Sequence, residues 1–229
     1  MFKLTSSVHF VIFLAASAIP AAAQPGESFS PNVPSMVSPR EAAEAERSAL
    51  FPRAFDLTAK PVAPAEKGSI SVEELRNPLE GKSLKLILSA QDLLAKGEKA
   101  RAMKVLQVAM DDKRAAPYAL MILGTEHLKT GDTVAAIAEL EESVRLLPSA
   151  AAMHSNLALA LGWSGNGEQA LRHATKALQL DPSRPKTRFV MGQILLLLGR
   201  KDEAEFHLKI AAAALPGARA LLVKYFPGR

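Results

Sequence analysis

Two short stretches of the sequence have the letters of cofactor-binding or catalytic motifs. Gly165 to Ala170 reads GNGEQA, which matches a dinucleotide-binding fingerprint, and Gly162 to Asn166 reads GWSGN, which nearly matches the turn that exposes a nucleophilic serine. Both motifs act directly after a β-strand. Here apolar residues at three- and four-residue steps precede them, which predicts a helix. We therefore expect no catalysis from this loop and no enzymatic activity of the chain.

The histidines are the other candidates for chemistry, as metal ligands or proton carriers. His127, His154, His173 and His207 fall in separate predicted helices, and Glu203 with His207 is the one carboxylate–histidine pair at a helical four-residue step. Zinc sites use three or four protein ligands, and the spacing supplies no third ligand near this pair. We therefore predict no metal and no cofactor, and we place the pair on a solvated helix face.

A repeat with a period of 34 residues explains the glycines and alanines of these motifs. The residues in register are Gly97, Gly131, Gly165 and Gly199; Ala102, Ala136, Ala170 and Ala204; and Pro148, Pro182 and Pro216. Self-similarity at such a period indicates a repeat architecture. Each glycine permits the positive φ of a tight turn between two helices, and each proline marks the end of a helix. The predicted fold is all-α and consists of helical hairpins.

These units resemble the tetratricopeptide repeat family, which repeats a helix–turn–helix every 34 residues. The resemblance rests on Leu123-Gly124, Gly131, Ala136 and Pro148, and on Met191-Gly192, Leu195, Gly199, Ala204, Ala211 and Pro216. It implies a solenoid of about four repeats, at 83–116, 117–150, 151–184 and 185–218. The first repeat has Ser89 and Arg114 where a large apolar residue and proline are usual, as expected of a terminal repeat. A C-terminal capping helix is expected to begin near Ala218 and to occupy the segment 219–229.

The N-terminal residues have the pattern of a secretory signal peptide. Lys3 precedes an apolar run from Phe10 to Ile19, and Ala21 and Ala23 suit cleavage after Ala23. We expect a signal peptide over 1–23 and a periplasmic or secreted mature protein. The alternative is an inner-membrane anchor formed by an uncleaved signal, although the run is shorter than the about 20 apolar residues that a bilayer span needs. The chain has no cysteine, which excludes disulfides and zinc–thiolate sites.

Residues 24–82 are predicted to be a mostly disordered linker with short helices. The segment is rich in Pro, Ala, Ser and charged residues, which bury too little apolar surface to offset the entropy of ordering. Within it, Ser38-Pro39-Arg40-Glu41 combines a capping serine, a proline at the first helical position and a glutamate at the third. This pattern predicts a helix that runs towards Phe51, and Ser71 begins a second short helix.

In this repeat family the first helix of each unit lines a concave face. The family's groove positions, carried onto this sequence, are mostly apolar, and an exposed apolar groove ordinarily marks a protein contact. We predict that a protein or peptide ligand contacts Leu84, Ile87, Gln91, Tyr118, Met121, Thr125, Ser155, Asn156, Leu159, Lys186, Phe189 and Gln193. The same positions include Leu94, Leu128, Ala152, Gly162 and Leu196. The alternative is that the helices are rotated and several of these residues are core.

Some family members hold a peptide's C-terminal carboxylate with a clamp of five polar donors. Asn156 and Lys186 match two of those donors, whereas Met121, Thr125 and Val190 occupy the other places. A carboxylate clamp is therefore not expected. The side-chain amide of Asn156 can still donate to and accept from the backbone of an extended ligand.

The groove also has a candidate occupant within the same chain. Residues 41–55 combine the predicted helix with Leu50, Phe51 and Phe55 at its end. A tether to the first repeat raises the effective concentration of such a segment to roughly millimolar. We predict that it docks on the concave face or on an end of the stack and competes with an external ligand.

Positive charge is concentrated at the C-terminal end, where 183–229 contain nine basic and three acidic residues. This end could face anionic lipid or an acidic partner, or it could be a solvated end without a ligand. No motif that recognises a nucleic-acid sequence accompanies the charge, so nucleic acid is not an expected partner. Membrane contact is expected only through this basic tip or an uncleaved signal.

These features predict a non-catalytic adaptor or scaffold in the bacterial cell envelope that binds a protein or peptide in the concave groove of the solenoid. The alternative function is a structural subunit of an envelope complex or of a self-associating assembly.

Overall fold

The computed structural model describes residues 38–51 and 79–228. Within these ranges it contains ten α-helices and no strand. They are α1 (Pro39–Leu50), α2 (Gly81–Ala95), α3 (Lys99–Met110), α4 (Ala116–Thr130), α5 (Thr133–Leu146), α6 (Ala151–Trp163), α7 (Gly167–Leu180), α8 (Pro185–Leu197), α9 (Lys201–Ala212) and α10 (Pro216–Tyr225). None of these helices is long and apolar enough to cross a membrane. The predicted signal peptide, the second linker helix at Ser71, and Phe55 lie outside the described residues.

The helices from α2 to α9 form four consecutive hairpins. The pairs α2–α3, α4–α5, α6–α7 and α8–α9 pack together, and each second helix packs on the first helix of the next hairpin. The first helices also touch across hairpins, because α6 contacts both α4 and α8, and α10 packs on α9. The predicted all-α solenoid of four repeats with a capping helix is confirmed. We call the surface on the side of α2, α4, α6 and α8 the first-helix face; it corresponds to the family's concave face.

The register glycines form the turns inside the hairpins, as predicted. Gly97, Gly131, Gly165 and Gly199 have φ angles of 77°, 86°, 87° and 74°. This left-handed conformation costs glycine little, whereas a Cβ would strain it. The second helices then begin at Lys99, Thr133, Gly167 and Lys201, so the 34-residue period is reproduced in the backbone.

Small residues bring the two helices of each hairpin close together. The register alanines Ala102, Ala136, Ala170 and Ala204 are fully buried, with 0% exposure. In the fourth hairpin, Gly192 lies under Leu208, and a Cβ there would be 2.6 Å from the Leu208 Cγ. Gly124 lies under Leu140 in the same way in the second hairpin, with a corresponding distance of 2.7 Å. A larger residue at such a position would force the helices apart.

Two helices begin a few residues before the predicted boundaries. Helix α2 begins at Gly81 rather than at 83, and α10 begins at Pro216 rather than at 218 or 219. Proline is favourable at the first position of a helix because its missing N–H would have no intrahelical partner there. Pro216 therefore begins the capping helix, whereas α9 already ends at Ala212.

A side-chain network replaces the missing proline at the end of the first repeat. Asp112 accepts hydrogen bonds from the Ser83 Oγ, at 2.9 Å, and from the backbone N–H groups of Arg114 and Ala115. The Ser83 hydrogen bond is the main cause that lowers the pKa of Asp112. The first hairpin, with α4, has its own apolar cluster around Ile87, whereas the later hairpins share a larger one.

Candidate functional site

The site is built around α1, which precedes the repeats and packs on the first-helix face. Ser38 caps this helix: its Oγ accepts from the Glu41 backbone N–H, and the Glu41 carboxylate accepts from the Ser38 N–H at 2.8 Å. Pro39 occupies the first helical position. These hydrogen bonds to Ser38 lower the pKa of Glu41. The predicted start of α1 is therefore confirmed, and its cap is the interaction that a Ser-x-x-Glu pattern provides.

Only the C-terminal end of α1 is buried. Residues 38–46 are exposed, whereas Leu50 and Phe51 are 1% and 2% exposed. Both side chains belong to the apolar cluster that contains Leu159 and Phe189. We call residues 47–51 the docking turn. The predicted docking of this segment on the repeats is confirmed for the docking turn.

The ring of Phe51 lies directly against the backbone of Gly162 at the C-terminal end of α6. A Cβ on Gly162 would lie 2.7 Å from the Phe51 Cζ and 2.9 Å from Cε1, so only glycine leaves room for the ring in this position. Burial of a phenylalanine side chain stabilises by about 1.5–3 kcal/mol relative to exposure. The entropy lost when the docking turn becomes ordered opposes this gain.

Gln193 on α8 binds the end of α1. The last carbonyls of a helix have no intrahelical partner. The Gln193 Nε2 donates to one of them, the Leu50 carbonyl, and the Gln193 side chain is buried with 1% exposure. Its Oε1 is also buried and has no hydrogen-bond partner among the described residues. Gln193 therefore holds a peptide carbonyl and has one acceptor still unused.

Arg47 provides a third contact, one helical turn before Phe51. Its Nη1 lies beside Gly165, so close that a Cβ on this glycine would be 2.8 Å away. Gly165 follows Ser164, the residue that caps the C-terminal end of α6. A cation is favourable there because the free carbonyls at a helix C-terminus carry partial negative charge.

The other residues predicted to bind a ligand are less exposed than the sequence suggested. Eight of the twelve are buried, which contradicts an open apolar groove at these positions: Ile87, Met121, Thr125, Ser155, Asn156, Leu159, Phe189 and Gln193. The remaining four are half-buried: Leu84, Gln91, Tyr118 and Lys186. The first helices pack against their neighbours, and α1 covers part of the face. Ligand binding by these twelve residues stays a prediction.

Particular interactions account for several of the buried residues. Ile87 belongs to the cluster of the first hairpin, so the alternative of a core residue holds there. The Thr125 Oγ1 donates to the Ile122 carbonyl at 2.7 Å, which engages its hydroxyl within α4. In contrast, the buried Ser155 Oγ and Gln91 Oε1 have no hydrogen-bond partner in the described part of the chain. Such atoms are uncommon in native proteins.

Two histidines from separate helices of the third hairpin form a pair in the structure. His154 on α6 and His173 on α7 stack with 5.4 Å between ring centroids, and their Nδ1 atoms are 3.1 Å apart. The His154 Nε2 donates to the Pro148 carbonyl at 2.9 Å, so its Nδ1 accepts from His173 in the neutral pair. Burial lowers the pKa of both histidines. Positions 19 residues apart meet because they lie on facing sides of one hairpin.

His127 and His207 lie apart from this pair, on other helices. The His127 Nδ1 lies 2.8 Å from the Glu139 carboxylate. Glu203 is exposed and binds Arg200 at 2.7 Å, whereas the ring of His207 is partly buried, so only the carboxylate of this pair lies on a solvated face as predicted. No group of three or more His, Cys, Asp or Glu side chains in the described ranges is placed to hold a metal ion.

The two motif matches lie in the turn between α6 and α7. A helix precedes them, and Gly165 with its positive φ and Gly167 at the start of α7 form the turn. A Cβ on Gly167 would be 2.7 Å from a Leu198 methyl carbon. The glycines therefore serve the turn and the packing of the next hairpin, and the strand that either motif requires does not precede them.

The basic C-terminal end is largely engaged in interactions within the chain. Arg200 and Lys209 pair with Glu203 and Glu205 at 2.7 and 2.8 Å. Arg219 donates to the Ala212 carbonyl at the end of α9, and Lys224 lies 5.1 Å from the centroid of its neighbouring Tyr225 ring. The tip therefore has less free positive charge than its composition suggests.

Comparison with known proteins agrees with the architecture. Residues 164–224 match the tetratricopeptide repeat family model. This part of the chain belongs to the tetratricopeptide repeat family. Tetratricopeptide repeat folds serve as protein-interaction adaptors or scaffolds and generally do not catalyse reactions.

One curated relative shares a short segment with this chain. It is the TPR repeat-containing thioredoxin TTL4 of Arabidopsis thaliana, 30% identical over 88 residues. The match covers 38% of this chain and only 13% of the relative's length.

Two solved structures share the fold of this chain. TTC0263, a thermophilic TPR protein of Thermus thermophilus, has a TM-score of 0.54 at 24% identity, covering 62% of this chain and 80% of the other. A monomeric mutant of IFIT1 with Gppp-AAAA has a TM-score of 0.51 at 16% identity, covering 81% of this chain and 45% of the other. At these identities the likeness concerns the fold alone.

Proposed function

We propose that the chain is a non-catalytic adaptor or scaffold of the bacterial cell envelope that binds a protein or peptide on its first-helix face. One observation carries this proposal: the face already holds a peptide segment of its own chain. Phe51 lies against the Gly162 backbone, and Gln193 binds the Leu50 carbonyl. An apolar side chain and a main-chain carbonyl are features that any polypeptide ligand can present.

The N-terminal half of the same face offers additional contact area. Leu84, Gln91, Leu94 and Tyr118 are half-buried, so parts of their side chains remain open to solvent. Tyrosine and leucine supply apolar contact area, and a glutamine amide can both donate to and accept from a peptide backbone. A ligand that extends from α8 towards α2 would therefore meet apolar and amide groups in turn.

The envelope location rests on the sequence. Residues 1–23 have the basic start, apolar core and small-residue ending of a signal peptide, and the cysteine-free chain needs no disulfide in an oxidising compartment. Fractionation of the producing cells tests the location, and N-terminal sequencing is expected to read from Gln24. An intact Met1 in the membrane fraction would support the anchored alternative.

Site-specific photo-cross-linking tests the binding function. A benzophenone amino acid replaces Tyr118 on the first-helix face and, as a matched control, Val134, which is 80% exposed on the second helix α5. We expect the Tyr118 position to capture a defined protein in the producing cells, and the Val134 position to capture none of it. Identical capture from both positions, or none from either, would contradict binding at this face.

A structural subunit is the second candidate function, supported by an exposed apolar pair. Phe206 and Ile210 lie one turn apart on α9 and are 60% and 40% exposed. Exposed large apolar residues at neighbouring positions favour association. Sedimentation of the purified chain and of Phe206→Glu tests this function, because a self-associating subunit would lose mass in the variant and an adaptor would sediment unchanged.

A further inference from the structure

We infer that the docking turn is a built-in substitute for the ligand, and that a partner segment with the same pattern must displace it to bind at α6 and α8. The pattern is a basic residue, an apolar residue three positions later and an aromatic residue directly after it, as in Arg47, Leu50 and Phe51. This inference rests on the proposed function and names the class of ligand. The α6–α8 part of the face would thus be self-inhibited.

The docking turn is suited to displacement because its contact is small. Residues 38–46 of the same helix are exposed, so α1 is attached to the repeats by one turn rather than along its length. A 12-residue helix is marginal on its own in water, which limits what α1 contributes when undocked. Residues 52–78 tether it to α2, and a tether gives an effective concentration of roughly millimolar, which keeps even a weak contact occupied.

Three groups on the repeats define what a ligand must present. Gly162 forms a notch for a flat aromatic ring, because any side chain at this position would meet the ring. Gln193 requires a main-chain carbonyl at the preceding residue, and the C-terminal end of α6 beside Gly165 favours a cation one turn earlier. These requirements together are met by a helical turn of the stated pattern, not by an arbitrary apolar peptide.

Gln193 also gives an external ligand a way to outcompete the docking turn. Its Oε1 is buried without a partner in the part of the chain that the structure describes, while its Nε2 is bound to Leu50. A buried acceptor without a donor is unfavourable. A ligand that presents both a carbonyl and an N–H to this amide would satisfy both atoms, which the docking turn does not.

A peptide added in trans tests the inference. The probe is a fluorescein-labelled synthetic peptide of residues 38–55, and its binding to the full exported chain is followed by fluorescence anisotropy. If the peptide binds a free notch with a Kd of about 100 μM, a tethered competitor at about 1 mM weakens its apparent affinity about tenfold. We therefore expect Phe51→Ala in the protein to bind the probe about tenfold more tightly than the wild type.

Two further variants distinguish release of the docking turn from blocking of the notch at Gly162. Gly162→Leu fills the notch, so it should release the docking turn and yet bind no probe. Arg47→Glu leaves the buried side chains of Leu50 and Phe51 in place. It should therefore tighten probe binding by a smaller factor than Phe51→Ala. Tryptic cleavage at Arg47 reports release of the docking turn in Phe51→Ala and Gly162→Leu. Circular dichroism checks folding, and Val223→Ala, at a valine that is 75% exposed on α10, is the control.

The outcomes are distinct. Equal probe affinity of the wild type and Phe51→Ala would overturn the inference. Equal binding of the probe by Gly162→Leu and Phe51→Ala would do so as well. So would a probe that itself carries Phe51→Ala and binds as tightly as the unchanged probe. Probe binding by none of the proteins also overturns it. The Tyr118 cross-link then decides the proposed function separately, because capture of a partner at Tyr118 does not depend on the docking turn.

Discussion

Gln91 and Gln193 occupy the same repeat position at opposite ends of the first-helix face, yet they are in different surroundings. Gln91 on α2 is half-buried, whereas Gln193 on α8 is 1% exposed and donates to the Leu50 carbonyl. The two helices are first helices of their hairpins and share one register. Gln193 also contacts α1, a segment outside the repeats that packs on α8, whereas Gln91 lies on the terminal first helix of the stack.

This difference shows what a repeat position determines and what it leaves open. The register decides which side of a helix a residue faces, because each hairpin repeats the same backbone geometry. Whether that side is covered depends on sequence that has no place in the register. The C-terminal half of the face is therefore built for contact with a peptide, and the N-terminal half remains more open.

The largest expected effect comes from a cavity in the covered half. Phe189 is 2% exposed in the cluster that contains Leu50 and Phe51, so Phe189→Ala should lower the free energy of unfolding by about 3–5 kcal/mol. Leu84 on α2 is half-buried, so Leu84→Ala should lower the free energy of unfolding by only about 1 kcal/mol. Urea unfolding of both variants measures the contrast. Similar losses would show that the two halves are equally packed.

Overpacking inside a hairpin should have the next largest effect. Ala170 has 0% exposure between α6 and α7, so Ala170→Leu should push these helices apart and cost about 1–3 kcal/mol. Ala138→Leu is the matched control, since Ala138 is exposed on α5. Thermal unfolding compares them, and the loss should extend along the stack because neighbouring repeats support each other. An unchanged Ala170→Leu variant would mean that the hairpin packing is wrong.

The histidine pair of the third hairpin should make stability depend on pH. Burial lowers the pKa of His154 and His173 below the ordinary value of 6.5, with further lowering by Lys176 for the first, and by His154 and Arg172 for the second. The unfolded chain then binds more protons than the folded chain. The contribution of the neutral histidine pair to the free energy of unfolding is therefore fully present above pH 6.5. It is lost as pH falls through the lowered pKa values.

Urea unfolding at pH 8 and pH 5 measures this loss. The double variant His154→Gln with His173→Gln should lose less stability between the two pH values than the wild type. The remaining loss includes His207, whose pKa is also lowered by burial, whereas burial of Glu139 in the second hairpin raises its pKa and acts in the opposite direction. The same pH dependence in both proteins would exclude the pair as its source.

The smallest expected effect concerns the charge on the docking turn. Arg47→Gln removes a cation from the C-terminal end of α6, an interaction of about 0.3–1 kcal/mol that salt screens. We expect tryptic cleavage at Arg40 to rise slightly in this variant at low salt and to match the wild type at 1 M salt. A difference that persists at high salt would point to packing by the Arg47 stem instead.

Much of the fold could be predicted because it depends on local and periodic features. The register glycines predicted the positive φ angles, and the register alanines predicted the close helix crossings. Ser38 with Glu41 predicted the start of α1. Each of these signals is a residue type acting on its own backbone or on a neighbour in the same hairpin. Pro216 was the exception, because proline both follows one helix and begins the next.

The site could be predicted only in outline. The apolar end of residues 41–55 suggested docking, but nothing in the sequence pointed to Gly162 and Gln193 as its contacts, since Gln193 lies 143 positions after Leu50. The burial of eight predicted binding residues likewise depends on how α1 and the hairpins pack. The pairing of His154 with His173 required the angle between two helices, which spacing alone does not supply.

The contact between Phe51 and Gly162 is tested most directly by nuclear Overhauser effects in the isotopically labelled protein. We predict cross-peaks between the Phe51 ring protons and the Gly162 α-protons in the full chain, because a Cβ on Gly162 would lie 2.7 Å from the ring. The cross-peaks should disappear when an excess of a peptide with the Arg-x-x-Leu-Phe pattern is added. A Phe51 ring with random-coil shifts and no cross-peak to Gly162, in the absence of any ligand, would contradict docking of α1 on the first-helix face.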